Sequence, residues 1–416
     1  MLPSIPTESW QVNASDPHAL TRLLDLPMFV VTGMEYDDHR DYLVVFCDHA
    51  APLAVCPTCG QLSQEPHQYT HRRVRDLPLA GKLCYLEFTG RRFKCATCGV
   101  PFTEVVEAVA PGGRSTRRFE QSIFEQCGAT SIQAVHRRER LGYKAVDGIY
   151  YRVAAQRETA SAVTLVRRLG IDEIALKKRH DQYVLVVSDR ERGRVLTVLP
   201  DRTQETLQAY LMNWSAEARA AVEDVALDLW LPYHLAVRAS LPKVRITADR
   251  FHVMKNLNEQ VTAARREIQR TAPETAKQTI KGCRWLVVKN KDGLSEEEQA
   301  KLEGMFAVSP MLKQLHELKE AFRTIFETAP DRVTAEAELQ NWVAKVEQRG
   351  VKQLTKFVTT LRKWWEVILN YFHEHVSSGV VEGLNTKVKL VKRTGFGFRN
   401  FAHFRLRLLM ECCGIA

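Results

Sequence analysis

The chain has 416 residues, too many for one small core, so about two to four domains are expected. Hydrophobic residues make up 45% and charged residues 26%, the balance of an ordinary globular protein. No run nears the roughly 20 apolar residues of a membrane span, and the opening MLPSIPTESW lacks the basic and apolar regions of a secretory signal, so no membrane partner is expected. The net charge of +10 is localised: residues 114–168 hold 11 Lys/Arg against 5 Asp/Glu, and residues 383–410 hold seven cations and no carboxylate. Two basic patches on an otherwise slightly acidic chain point to nucleic acid.

Residues 1–40 are weakly patterned, with a short amphipathic helix expected before Pro27. Strand-like runs follow at 42–47 (YLVVFC) and 83–88 (LCYLEF), around two matching knuckles, Cys56-Pro-Thr-Cys59-Gly and Cys95-Ala-Thr-Cys98-Gly. Four thiolates satisfy the tetrahedral, soft-donor preference of Zn²⁺ and leave no open position, so the expected site is structural. The 35 residues between the knuckles exceed common ribbon spacing, so a hairpin extension must fill the gap. His67 and His71, in that gap, could substitute as ligands but read better as DNA-facing or plain polar residues. The other six cysteines have no paired spacing and read as core thiols, which fits a reducing, cytoplasmic compartment.

The basic stretch 114–165 carries helical patterns at 117–127, 131–140 and 145–157, broken at Gly128 and Gly142. Three short helices with glycine breaks suit a helix-turn-helix module, with 145–157 as a candidate recognition helix bearing Arg152. Tyr150 and Tyr151 suit either DNA contact or the core.

From residue 169 strands take over. IDEIAL, YVLVVS and RVLTVL read as a three-stranded meander, followed by a helix (203–214), a strand (224–229), a helix (231–240) and a strand (243–248). This is the element order of an RNase H-like α/β domain. The turn after the first strand holds Lys177, Lys178, Arg179 and His180, candidate phosphate contacts or a solvated turn. Residues 251–375 are helical throughout, and SSGVVEGLNTKVKLVKR opens another helix. There Glu382 is the lone acid on a face shared with Asn385, Lys389 and Lys392.

Metal-dependent phosphodiester chemistry needs clustered carboxylates. The first strand offers Asp172, the fourth Asp228, the fifth Asp249, and the late helix Glu382. In an RNase H-like sheet the fourth strand neighbours the first at about 4.8 Å, and the fifth lies about twice as far. That spacing favours Asp228 over Asp249 as partner of Asp172. Asp249 and His252 then orient the site or touch DNA nearby, and Asp249 also fits a helix cap. Glu173, Asp189, Asp201 and Asp224 read as turn, cap or surface residues.

With these motifs in view, the chain resembles the ISL-three family of bacterial insertion-sequence transposases over essentially its full length. The resemblance rests on the paired CxxC motif with RRVRDLPL (72–79), GIDEIALKK (170–178), LDLWLPY (227–233), ADRFHVMKNLN (248–258) and VVEGLNTKVKLVKRTGFGFRNFAHFRLRLL (380–409). It implies a zinc-binding domain (41–113), a helix-turn-helix domain (114–165) and an RNase H-like core (166–256). An all-helical insertion (257–375) and the last core helices (376–416) would follow, after an N-terminal segment (1–40). It also implies a catalytic triad of Asp172, Asp228 and Glu382 holding Mg²⁺ (or Mn²⁺). Lys389 would be the basic residue that follows the glutamate, with Lys392 and Arg393 as further DNA contacts. The implied partners are transposon ends with inverted repeats, target DNA and a second copy of the chain in a dimer or larger synaptic complex, in the bacterial cytoplasm at the nucleoid. A DNA-binding regulator that has lost catalysis is the alternative, and the presence of all three carboxylates counts against it.

Overall fold

The computed structural model describes every residue except 1–16, 27, 111, 161–164, 178–181, 374–378, 396, 397, 399 and 413–416, and leaves out some side chains within elements, Lys177 and Glu382 among them. The chain forms two compact units, residues 1–160 and 161–416. Among the described residues no helix is long and apolar enough to cross a membrane.

The first unit opens with α1 (Pro17–Leu24), β1 (Phe29–Asp37) and β2 (Tyr42–His49). Then come the short β3 (Ala54–Val55) and β4 (Leu62–Ser63), the long β5 (Pro66–Leu79) and β6 (Lys82–Lys94), and β7 (Pro101–Thr103). One sheet has the order β1-β2-β6-β5, with β7 also on β6, while β3 and β4 pair separately. Because β1 pairs antiparallel with β2 from Phe29 to Asp37, the expected division at residue 40 cuts a hairpin, and β1 belongs to this sheet. The β5–β6 hairpin fills the gap between the cysteine knuckles. It closes on Ala80 and Gly81, both at positive φ (52° and 77°), as a two-residue turn matched to strand twist requires.

The sequence hid β5 because arginines interrupt its apolar alternation. Arg75 is 4% exposed, sandwiched between the Tyr85 and Phe119 rings, so its stem packs as a hydrophobe. Asp76, equally buried, accepts from the Thr116 hydroxyl at 2.6 Å and pairs with Arg118. These contacts tie the hairpin to the three helices α2 (Arg117–Ala129), α3 (Ile132–Arg138) and α4 (Tyr143–Ala160). Thr116 and Ser131 cap α2 and α3 through the N–H groups of Phe119 and Ala134.

In the second unit, β8 (Arg168–Lys177), β9 (Gln182–Asp189) and β10 (Arg194–Leu199) form the expected antiparallel meander. Next come α5 (Gln204–Met212), α6 (Ala216–Ala220), β11 (Asp224–Leu227), α7 (Leu231–Ser240) and β12 (Arg245–Ala248). The sheet order is β10-β9-β8-β11-β12, with β11 parallel to both β8 and β12. The helical region is α8 (Arg250–Thr271), α9 (Glu274–Ile280), α10 (Arg284–Val288), α11 (Glu296–Val308), α12 (Pro310–Thr328), α13 (Arg332–Gln348), α14 (Thr355–Lys363) and α15 (Trp365–Leu369). The last two helices are α16 (Gly379–Thr394) and α17 (Phe401–Cys412).

Strand alternation sends residues to opposite faces of this sheet. Leu169, Ile171, Val225, Leu227, Ile246 and Ala248 join one apolar core that runs on without a break through α8 to Trp342, Phe357 and Phe372. The helical region is therefore packed onto the sheet, and a boundary at residue 256 falls inside the uninterrupted α8. On the opposite face Ile174, Val184, Val186, Val195 and Val198 pack against Leu384, Val388, Val391, Phe404 and Leu408 of α16 and α17. The i, i+4, i+7 spacing of the α16 residues gives that helix one apolar stripe.

Candidate active site and zinc site

Register brings the aspartates together. Ile171 pairs with Leu227, and Leu227 with Ala248. Asp172, Asp228 and Asp249 are the next residues on these three parallel-running segments, so they stand side by side at one level. Each is also one step out of phase with its buried neighbour, which turns it to the face covered by α16. The carboxyl ends of parallel strands are the usual place for a site in such a sheet.

His252, in the first turn of α8, sits among them. Its Nδ1 lies 2.6 Å from Asp228 Oδ1, and its Nε2 lies 3.5 Å from Asp172 Oδ1 and 4.0 Å from Asp249 Oδ2. Donor atoms of Asp172, Asp228 and His252 lie within 4.8 Å of one another, close enough to share a metal ion. Asp249 Oδ1 accepts from the Phe251 N–H at 2.9 Å, so Asp249 is indeed the cap of α8 as well as a wall of the site.

Electrostatics matches a cation site. Burial pushes the Asp228 carboxyl above the ordinary range, and the charges of Asp172 and Asp249 push the same way while His252 opposes them. Burial also raises Asp249, against the Phe251 N–H. Burial disfavours the His252 imidazolium, but Asp172 and Asp228 outweigh it and hold its pKa up to about 10. Oxygen donors crowded with negative charge suit a hard divalent ion.

The site opens into a cleft of about 840 Å³ whose lining includes Asp172, Asp249, His252, Lys255, Lys389 and Arg393. Lys392 lines it too and donates to the Ala175 carbonyl, pinning α16 to β8. Lys178 lies outside the described residues, as do the side chains of Lys177 and Glu382. The Glu382 backbone is in α16, one turn before Thr386, another residue of the cleft lining.

Sequence reasoning missed Glu173, which also lines the cleft and accepts from the buried Tyr233 hydroxyl at 3.2 Å, with Arg202 at 3.5 Å. It also overlooked the exposed aromatics Trp230 and Phe251, two residues beyond Asp228 and Asp249, a spacing visible in the sequence. Asp224 is no surface residue: it is 3% exposed and holds Arg190 at 2.8 Å, Arg245 at 3.3 Å and the Thr247 hydroxyl at 2.6 Å. Asp189 is a buried turn residue accepting from the Glu191 and Arg192 N–H groups, and Asp201 accepts from the Thr203 N–H ahead of α5.

In the first unit Cys56, Cys59, Cys95 and Cys98 converge. The Cys56–Cys98 and Cys59–Cys95 sulfur separations are 3.7 and 3.5 Å, near the roughly 3.8 Å edge of a tetrahedron with 2.3 Å Zn–S bonds. Gly60 and Gly99 take φ of +74° and +73° to turn each knuckle. The backbone N–H of Cys98, then that of Thr97, holds the Cys95 thiol down at about 6 against burial, favouring the thiolate a metal requires. In the helical module Arg152 pairs with Glu120 at 2.7 Å, and Tyr150 stacks on Phe124. Tyr150 and Tyr151 are both buried and belong to the core.

Four converging cysteines, a three-helix module and a carboxylate cluster on an α/β sheet thus occur on one chain. The chain belongs to the ISL3 transposase family, whose profile matches residues 169–408. Residues 52–98 match the zinc finger of the IS204/IS1001/IS1096/IS1165 transposases, and residues 104–154 match the helix-turn-helix domain of family ISL3. The chain is 28% identical over 381 residues to the transposase for insertion sequence element IS1001 of Bordetella parapertussis, covering 89% of this chain and 92% of the relative. It is 27% identical over 396 residues to the transposase for IS1557 of Mycobacterium tuberculosis, covering 88% of each.

Proposed function

We propose that this transposase cleaves and joins DNA at the ends of an insertion sequence, through a DDE site of Asp172, Asp228 and Glu382 on an RNase H-like domain. The observation that carries the reading is the register: three carboxylates at one level on the sheet face that α16 covers. Asp172 and Asp228 would hold divalent metal, Mg²⁺ or Mn²⁺, from adjacent strands, and Glu382 would approach from α16. Such a metal, when bound, supplies Lewis acidity at the phosphodiester and lowers the pKa of a water or 3′-hydroxyl nucleophile. His252 fixes the Asp172 and Asp228 carboxylates in place, and Asp249 anchors the helix that carries His252. Lys389 and Arg393 offer charge to the phosphates that flank the cut, Lys392 holds α16 against β8, and Lys177 and Lys178 extend the basic surface.

The four-cysteine site would carry structural Zn²⁺. The zinc domain and helix-turn-helix would bind the terminal inverted repeats, with the exposed N-terminal part of α4 toward the DNA and Arg152 reaching a phosphate where it leaves Glu120. The domains we infer, in chain order, are the zinc domain, the helix-turn-helix domain and the catalytic domain, with the helices that open on α8 inserted between its sheet and Glu382. Joining two ends requires at least two active sites, so the acting form is a homodimer or larger synaptic complex, on DNA in the cytoplasm.

The test is strand cleavage of duplexes bearing the element's own terminal repeats. Cleavage should require Mg²⁺ or Mn²⁺ and disappear in Asp172→Ala. Sequence-specific binding without cleavage by the wild type would instead mark a regulator.

A further inference from the structure

Beside the carboxylate cleft lies a smaller cavity of about 270 Å³, and the two share Glu173, His252 and Lys255. Its lining includes Asp228, Leu229, Trp230, Asn256 and Glu259. The Trp230 backbone N–H donates to the Asp228 carbonyl at 2.7 Å, which fixes the turn that sets Trp230 two residues past the carboxylate. Its side chain is nonetheless 49% exposed, unusual for a tryptophan beside a polar site, and Leu231 and Leu235 on α7 extend the open apolar surface. Asn256 sits one turn after His252 on α8. It adds a neutral amide, able to donate and accept, to the cavity wall.

We propose that this cavity receives one nucleobase unpaired from the DNA end, stacked on the Trp230 indole, with its pairing edge against the polar wall that Glu173, Asn256 and Glu259 form. The proposal rests on the reading of the Asp172–Asp228 cleft as the cleavage site. A scissile phosphate at Asp228 puts the attached nucleotide within reach of Trp230. Aromatic side chains beside a phosphate-binding groove are stacking platforms for unpaired bases, and enzymes that extrude a base read its pairing edge by hydrogen bonds. The acceptors Glu173 and Glu259 suit an amine-bearing edge, that of adenine, cytosine or guanine, and disfavour thymine, which has no amine. Trp230 and Asn256 are thus positioning residues that seat the substrate.

The test uses the full chain, Mg²⁺ and duplexes carrying the element's terminal repeat with its flank. A series of these duplexes lacks a single base at each of about three positions either side of the cut, the length a stacked base would span. On intact ends Trp230→Ala should cleave roughly tenfold more slowly and Trp230→Phe near the wild-type rate. The ratio of wild-type to Trp230→Ala rates should fall to about one on the duplex that lacks the captured base, and persist on the others. At that position a base without the amine should slow the wild type. A ratio that stays constant along the whole series overturns the proposal while leaving the cleavage site intact. A wild type that does not cut, or an Asp172→Asn variant that still does, overturns the site reading and this one with it.

Discussion

Asp228 and Asp249 occupy the same level on neighbouring strands, and only one is proposed to hold metal. Replacing each with asparagine separates them, because asparagine keeps the volume and remains a good helix cap, so Asp249→Asn should fold normally. Asp228 comes from β11, hydrogen-bonded directly to β8, and lies 2.6 Å from the His252 ring. Asp249 is one strand further out, spends Oδ1 on the Phe251 N–H, and reaches His252 only at 4.0 Å. Loss of a metal-holding carboxylate costs several kcal/mol of transition-state stabilisation, so Asp228→Asn should slow cleavage at least about 10³-fold. Asp249→Asn loosens only the setting of His252, a change of about 10- to 100-fold. Single-turnover cleavage of terminal-repeat duplexes at saturating Mn²⁺ measures both. Thermal shift gives a second readout: Mn²⁺ should raise the wild-type and Asp249→Asn melting temperatures but not that of Asp228→Asn. Abolished cleavage in Asp249→Asn together with near-normal cleavage in Asp228→Asn would refute the argument from strand order.

Other consequences concern the scaffold and the DNA grip. Cys95→Ser, or a strong chelator, should remove about one Zn²⁺ per chain by metal analysis and unfold the knuckles, since such sites fold only with metal. Asp76→Ala leaves Arg118 without its buried partner and should cost about 3–5 kcal/mol in denaturant unfolding of the first unit. Asp224→Ala strands the buried Arg190 and should destabilise the second unit by a similar amount, about 3–5 kcal/mol. Lys389→Ala should weaken end binding equally for all sequences and lower the slope of log K against log salt by about one; an unchanged slope would remove Lys389 from the phosphate contacts.

Much of this was written in local pattern. The CxxC-Gly knuckles, the β8–β10 meander, the cap of α8 and the placement of Asp172 in the first strand and of Asp228 and Asp249 at the ends of the fourth and fifth follow from periodicity and turn residues within short windows. Features that depend on distant neighbours were not legible. Strand β5 looked charged because the burial of Arg75 needs the rings of Tyr85 and Phe119 from two other elements. Asp224 read as a surface residue because its partner Arg190 lies 34 positions away. The helices between β12 and α16 read as a separable insertion, yet they complete the core under one face of the sheet, and no local signal reports a shared core.

The sequence by itself determined which residue types stand at the strand ends and which helix carries the lone glutamate, because these are fixed by spacing along the chain. Only the tertiary structure decided that Ile171, Leu227 and Ala248 align across three strands and so set their neighbouring aspartates level. It alone put His252 between them and Trp230 and Asn256 around a second cavity. Register and sheet face are settled by hydrogen bonds and packing between segments far apart in the chain, and a one-residue slip would have turned the same carboxylates to the other side.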